Sequence, residues 1–275
     1  MIRDLLIVAD AVGEAAGPYG VALAKHLGAA TSCLCLQPED DRGLAEVRFD
    51  LVVSARDEAL RTVREAAENL AYAARAAEVP AETETIHGGP DVLRAQLLAR
   101  ARMHDLVVVE QPSRRRDRPA DAYVEDILLG AGRPTLVVPT GWIEPARLDA
   151  VTVAWDGVAW DGSAAAARAL GDALPLLKRA RRVGIVTVQT EAVAGVGEGG
   201  DRLVRHLARH GVEADYRTTF SSVTVVGHLI AEVAQAGSDL LVMGAYGHSR
   251  LREAFLGGAS RDALRQSGVP VLMSH

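Results

Sequence analysis

The feature that most constrains this sequence is that its second half repeats its first half. Three short segments recur in the same order, 146, 134 and 136 residues further along the chain. The matching pairs are Leu5–Asp10 with Val151–Asp156, Asp105–Val109 with Asp239–Met243, and Pro134–Pro139 with Pro270–His275. Such an offset is about the length of one small domain, so the 275-residue chain is expected to hold two copies. We place them at residues 1–143 and 148–275, with Pro139–Leu148 as the linker.

Each copy alternates short runs rich in Val, Ile and Leu with helical segments. The expected strands are 4–9, 31–36, 82–86, 105–109 and 134–138, then 150–155, 182–188, 213–218, 239–243 and 270–273. The expected helices are 18–27, 55–77, 90–102 and 121–129, then 163–176, 201–210, 223–236 and 249–267. Apolar strands without polar alternation are typical of parallel sheets covered on both faces. The pattern predicts an α/β fold of two Rossmann-like, doubly wound domains, each with a five-stranded parallel sheet.

Composition removes several classes of function. The net charge is −6, so the chain lacks the overall positive charge that holds nucleic acid. Its basic residues are almost all Arg. The strongest basic run, Arg114–Arg116, is diluted by nearby carboxylates and is interpreted as a solvated loop. No apolar run reaches the length of a membrane span, and the first residues do not resemble a secretory signal. We therefore expect a cytoplasmic protein that binds neither nucleic acid nor membrane.

The two cysteines lie two residues apart on one expected strand. This alternation places Cys33 and Cys35 on the same face, where buried structural thiols are the simplest interpretation. Metal binding or redox chemistry is the alternative, although two thiolates are an incomplete zinc set.

Ligands of doubly wound sheets bind beyond the carboxyl ends of the strands, so residues that follow strands are the informative ones. Asp156 directly follows the first strand of the second half. Its carboxylate can accept hydrogen bonds from a ribose or a base edge, or it can organise an Asx-type turn. Asp161 and Ser163, slightly further on, are interpreted as helix N-caps.

A spaced set of glycines follows the fourth strand of the second half. Gly244, Gly247 and Gly257 fit a phosphate site, because glycine lets an anion approach backbone N–H groups closely. A helix beginning after Gly257 would add its positive N-terminal end, and Ser260 would offer a hydroxyl. His248 lies inside this segment and is either a phosphate contact or a solvated loop residue. The alternative for the glycines is that they only shape turns.

The spacing Gly244-x2-Gly247-x9-Gly257 resembles the nucleotide motif of the universal stress protein family. Asp156 matches the Asp on the adenosine side of that family's site, and Val269–Leu272 matches its final strand. The resemblance covers both halves and implies a tandem protein that binds ATP or another adenine nucleotide, with or without Mg²⁺. The contacts that it implies are Ala154, Trp155, Asp156, Val188, Met243, Gly244, Gly247, His248, Gly257, Gly258, Ala259 and Ser260.

The sequence departs from the family pattern in two places. Gly258 stands where the family usually has Ser or Thr, so one phosphate-contacting hydroxyl is missing. In the first half, Glu110 stands where Gly244 stands in the second half, and no glycine motif follows it. Asp10 persists there without its partners. We expect the first half to be a degenerate copy that binds no nucleotide.

Other nucleotide and catalytic motifs are absent from the sequence. No P-loop or Gly-x-Ser-x-Gly elbow occurs. The Gly195–Gly200 segment follows the second strand rather than the first, and it is interpreted as a mobile loop. His206 and His210 lie four apart on an expected helix, with no third metal ligand evident.

The sequence therefore favours a stress-response protein that binds an adenine nucleotide in its second half. No catalytic residue is assigned, and ATP hydrolysis, if any, would be slow. The alternatives are a nucleotide-free scaffold for protein interactions with a decayed site and an enzyme with an unrecognised substrate. Because each copy ends in an apolar strand, we expect Thr135–Val138 and Val271–Met273 to pair, giving a pseudo-twofold monomer. A homodimer is the other assembly.

Overall fold

A computed structural model describes residues 1–9, 15–39, 49–113, 119–155, 163–189, 196–221, 224–245 and 265–275. The strands are β1 (Asp4–Ala9), β2 (Ala30–Pro38), β3 (Ala81–Gly88), β4 (Leu106–Glu110), β5 (Thr135–Val138), β6 (Ala150–Ala154), β7 (Arg182–Gln189), β8 (Asp215–Phe220), β9 (Leu240–Gly244) and β10 (Val271–Ser274). The helices are α1 (Ala16–Leu27), α2 (Phe49–Ala76), α3 (Pro90–Ala101), α4 (Val124–Gly130), α5 (Ala164–Leu177), α6 (Val196–Arg209) and α7 (Val225–Gln235).

The chain divides into two compact units. The N-terminal unit holds Ile2–Arg133 and Thr140–Ala146, and the C-terminal unit holds Pro134–Pro139 and Arg147–His275 together with Met1. Strand β5 is thus grouped with the second half of the sequence rather than with the first. The alternation of strands and helices confirms the expected Rossmann-like α/β class.

The N-terminal unit contains parallel strands in the order β3-β2-β1-β4. Leu5 of β1 lies between Thr31 of β2 and Leu106 of β4 in this register. All five residues of β4 are buried. Burial on both faces explains why β4 reads as an apolar run without alternation.

The C-terminal unit contains strands in the order β5-β10-β9-β6-β7-β8. Strands β6 to β10 are parallel to their neighbours within this group, whereas β5 runs antiparallel to β10. Leu272 lies opposite Leu136 in that antiparallel pair. The pairing expected between Thr135–Val138 and Val271–Met273 is therefore confirmed, and it covers the edge of β10.

In each unit, an aspartate at the same place in the repeat accepts a hydrogen bond from the backbone at the beginning of the first strand. Asp105 Oδ2 accepts from Arg3 N at 2.7 Å, and Asp239 Oδ2 accepts from Ala150 N at 2.8 Å. Both aspartates precede the fourth strand of their repeat and bond to the beginning of the first strand. The sequence repeat is thus also a repeat of hydrogen bonds.

Three segments differ from the sequence-based expectation. The Gly-rich stretch expected to be a loop enters helix α6 at Val196, and residues 196–200 form its first turns. Gly200 is buried there. A Cβ at this position would lie 2.1 Å from the ring of Tyr216, so the ring packs directly against the helix backbone. Helix α2 begins six residues earlier than expected, at Phe49. The helix expected over 121–129 is instead a 3₁₀ turn, Pro119–Ala122, followed by α4.

Candidate functional site

The candidate site lies at the carboxyl edge of the C-terminal unit. The chain passes from β6 to β7 and β8 on one side, and then returns to place β9 and β10 on the other side of β6. The border between β6 and β9 is therefore the point where strand order reverses, which is where doubly wound sheets bind ligands. In the sequence, Asp156 comes two residues after the end of β6, and the glycine motif begins at Gly244, the last residue of β9.

The backbone beyond β6 is held by a chain of hydroxyl groups. Trp155 N donates to Val186 O at 2.9 Å, and Thr187 Oγ1 donates to Trp155 O at 3.1 Å. Tyr216 OH donates to Thr187 Oγ1 at 3.2 Å, and Thr218 Oγ1 donates to that phenol oxygen at 3.1 Å. These bonds fix both polar groups of the Trp155 backbone, from which Asp156 continues.

Helix α5 begins at the same edge. Ser163 has extended backbone (φ −64°, ψ 153°) and its hydroxyl accepts from Ala166 N at 3.1 Å, which confirms it as an N-cap. Asp161, the other predicted N-cap, lies outside the described residues. The first turn of α5 contains no acidic residue. The helix packs on β9 and β10 through small side chains, among them Ala165, Ala166 and Ala169.

Gly244 has a packing role that the sequence did not reveal. A Cβ built on Gly244 would lie 2.5 Å from Ala166 N and 2.7 Å from the carbonyl carbon of Ala165. Only a residue without a side chain lets the end of β9 approach the backbone of α5 this closely. The first glycine of the motif is thus required by the fold, whatever it also offers to a phosphate.

The described part of the chain contains five of the predicted contact residues. The structure places Ala154 and Trp155 at the end of β6, Val188 on β7, and Met243 and Gly244 on β9, all at one edge. Val188 and Met243 are buried, and the other three are partly exposed. Asp156, Gly247, His248, Gly257, Gly258, Ala259 and Ser260 lie outside the described residues, as do Asp10, Arg114–Arg116 and most of the helix expected over 249–267.

Sequence reasoning missed Gln189, the last residue of β7. Its side chain is only 3% exposed, and its Nε2 has no hydrogen-bond partner among the described residues. The sequence offered one signal. Gln189 is a large polar residue that directly follows the mostly apolar run Ile185–Val188.

The N-terminal unit carries a carboxylate where the C-terminal unit has Gly244. Glu110 is the last residue of β4, as Gly244 is of β9, and it is only 8% exposed. Its Oε2 accepts from Ala15 N at 3.0 Å, and Ala15 is the N-cap residue of α1. The beginning of α1 thus already holds an anion that belongs to the chain, as helix N-termini favour.

Other polar groups surround the end of β4. Gln111 is buried, and its carbonyl accepts from Thr140 Oγ1 at 3.1 Å. Ser113 Oγ donates to the buried Asp121 carboxylate at 2.7 Å. At the end of β4, polar groups of this unit are therefore bonded to one another.

The cysteines lie buried on β2 as free thiols. Burial raises the pKa of Cys33 from 9.0 to about 11, with a smaller lowering by the Thr31 hydrogen bond. Thiols of this kind are poor nucleophiles and poor metal ligands at neutral pH. Within the described residues, no three His, Cys, Asp or Glu side chains are grouped to hold a metal ion, and no described helix is long and apolar enough to cross a membrane.

The strand order defines a Rossmann-like fold, and its switch-point edge is the place where proteins of this class bind ligands. Residues 157–275 match the model of the universal stress protein family. This match covers the second half of the chain, including the glycine motif.

Solved structures extend the likeness of fold to the whole chain. A universal stress protein of Archaeoglobus fulgidus DSM 4304 is 17% identical with a TM-score of 0.69, over 99% of this chain and 96% of that one. The cytoplasmic domain of a prokaryotic cation chloride cotransporter is 10% identical with a TM-score of 0.51, over 99% and 95%. No curated protein sequence gives a significant match to the chain.

Proposed function

We propose that the chain is a stress-response protein that binds an adenine nucleotide, ATP in the first instance, at the carboxyl edge of its C-terminal unit. One observation carries the proposal. Strands β6 and β9 are neighbours at the switch point, and in the sequence Asp156 comes just after β6 while the glycine motif begins at Gly244 of β9, in a stretch that matches the universal stress protein model. Neither segment alone distinguishes a ligand site from a turn.

The described residues fit such a ligand. The edge offers backbone around Trp155 that is already fixed by hydrogen bonds, and it contains the buried apolar residues Val188 and Met243. No carboxylate lies in the first turn of α5, in contrast to the Glu110 side chain at α1. When bound, the nucleotide would place its phosphates against the backbone N–H groups of the glycine-rich segment.

The N-terminal unit is proposed not to bind nucleotide. Glu110 already bonds to the beginning of α1, and a second anion there would meet a buried carboxylate at close range. The stoichiometry expected for the whole chain is therefore one nucleotide.

Calorimetry with ATP, ADP and AMP on the full chain tests this function. The Gly257→Asp variant should weaken ATP binding at least about thirtyfold, because it adds a negative charge next to the phosphates. Gly268→Asp is the matched control, since Gly268 is exposed at the opposite end of β10 and has open space around its Cβ position. Gly244 is unsuitable as the test position because its replacement disturbs the fold. Absence of binding by the unmodified chain at millimolar ATP would refute the function.

A further inference from the structure

Gln189 is the buried polar side chain that the fold leaves unexplained. Its own carbonyl accepts from Ser221 N at 2.8 Å, so the backbone is satisfied. The side-chain Nε2, in contrast, has no partner among the described residues although only 3% of the residue is exposed. Buried amide groups are almost always hydrogen-bonded, so an orphaned one at the end of a strand calls for a partner.

Register places this amide beside the candidate site. Gln189 lies two residues beyond Thr187, and alternation puts both side chains on one face of β7. Thr187 Oγ1 bonds to Trp155 O, so the end of β7 is tied to the residue that precedes Asp156. The orphaned amide is therefore one strand away from the predicted adenosine contact.

The direction of the ligand follows from where the glycine motif begins, at Gly244 of β9. Phosphates need the glycine-rich backbone that begins at Gly244 of β9. The rest of the nucleotide must then extend along the edge, and β6 and β7 lie next in that direction. Two strand spacings amount to ~10 Å, so the base of a ligand anchored near β9 reaches the end of β7.

We infer that Gln189 is a specificity-determining residue whose side-chain amide reads the base of the bound nucleotide and selects adenine. This inference rests on the proposed nucleotide function. A carboxamide offers a donor and an acceptor side by side. Adenine presents the complementary pair, a ring-nitrogen acceptor next to the 6-amino donor, and Gln is one of the side chains that pairs with it in bidentate fashion. This pairing uses N7 and the 6-amino group of adenine; at the same edge a purine with a carbonyl oxygen at position 6 presents two acceptors, so one of the two bonds is mismatched.

The test is calorimetry of the full chain with ATP and with inosine triphosphate, which carries a 6-carbonyl. The unmodified chain should prefer ATP. Gln189→Leu should weaken ATP binding about tenfold and remove most of the preference, as expected for one lost bidentate pair. The melting temperature of the ligand-free variant should be unchanged or higher, because Leu removes an unpaired buried amide.

The outcomes separate this inference from the function itself. If the unmodified chain binds no ATP, the proposed function fails. If it binds ATP but Gln189→Leu keeps the same affinity or the same preference over inosine triphosphate, the assignment of Gln189 fails alone. A lower melting temperature with unchanged binding would show that Gln189 is paired inside the protein. Gln189→Met serves if the Leu variant does not fold, and the exposed Gln235→Leu is the matched control.

Discussion

Gly244 shows how one missing side chain joins a strand to a helix. Its Cβ position lies within 3.0 Å of three backbone atoms of α5, at Ala165 and Ala166. Backbone atoms cannot rotate away as the tip of a flexible side chain can. Any larger residue must therefore displace α5 from β9, or displace the end of β9 from α5.

We expect Gly244→Ala to lower the free energy of unfolding by about 3 kcal/mol, as overpacking of a dense interior does. The midpoint of urea denaturation measures the change. Gly184→Ala is the control, since Gly184 lies on β7 with nothing within 4 Å of its Cβ position. That variant should be neutral or slightly stabilising. Equal midpoints for Gly244→Ala and the unmodified chain would show that the helix yields without cost.

At the scale of elements, Asp105 and Asp239 connect the first strand of each unit, through hydrogen bonds, to the turn before its fourth strand. Asp239 both accepts from Ala150 N and donates its own N–H to Ala150 O at 2.8 Å. Asp105 is related in the same way to Asp4, with Asp105 N donating to Asp4 O at 3.0 Å. One residue thus fixes where two neighbouring strands begin.

Asp239→Ala should lower the free energy of unfolding by about 1.5 kcal/mol, because it leaves Ala150 N without its charged acceptor. Asp239→Asn keeps an acceptor oxygen and should cost less. Hydrogen exchange at the Ala150 amide reports the local effect, and faster exchange is expected in the Ala variant alone. Unchanged protection in both variants would mean that water or another group replaces the carboxylate.

The sequence predicted elements well where burial decides the pattern. Both faces of β4 and β9 are covered, so composition alone identified them within a residue. The Gly-rich run before Asp201 was wrongly predicted to be a loop. Glycine also occurs in helices where an aromatic ring packs against the backbone, as Tyr216 does at Gly200. Five predicted site residues lie at one edge, but the orphaned amide of Gln189 depends on tertiary burial, which no local pattern encodes.

For the whole molecule, strand β5 decides what covers β10. Val271, Leu272 and Met273 are at most 1% exposed, and they face Thr135, Leu136 and Val137 across the antiparallel pair. β5 comes from the end of the first repeat in sequence but is grouped with the C-terminal unit. A boundary drawn from the sequence repeat would therefore cut this pair.

A fragment of residues 148–275 should dimerise, because it lacks β5 and exposes the apolar edge of β10. Light scattering measures its mass, with the full chain, which keeps the β5–β10 pair, as the reference at the same concentration. If the fragment is monomeric and stable, covering of the β10 edge by β5 is not what limits association.

The carboxylate of Glu110 gives the two repeats different relations to their surroundings. An anion tethered to the chain is present at fixed local concentration, so the beginning of α1 is insensitive to what the solution contains. The equivalent position in the second repeat is Gly244, which carries no side chain. If the proposed nucleotide binds at that edge, it stabilises the fold by an amount that grows with the logarithm of its free concentration above the dissociation constant. On the proposed function, the stability of the C-terminal unit would therefore depend on the nucleotide concentration, whereas that of the N-terminal unit would not.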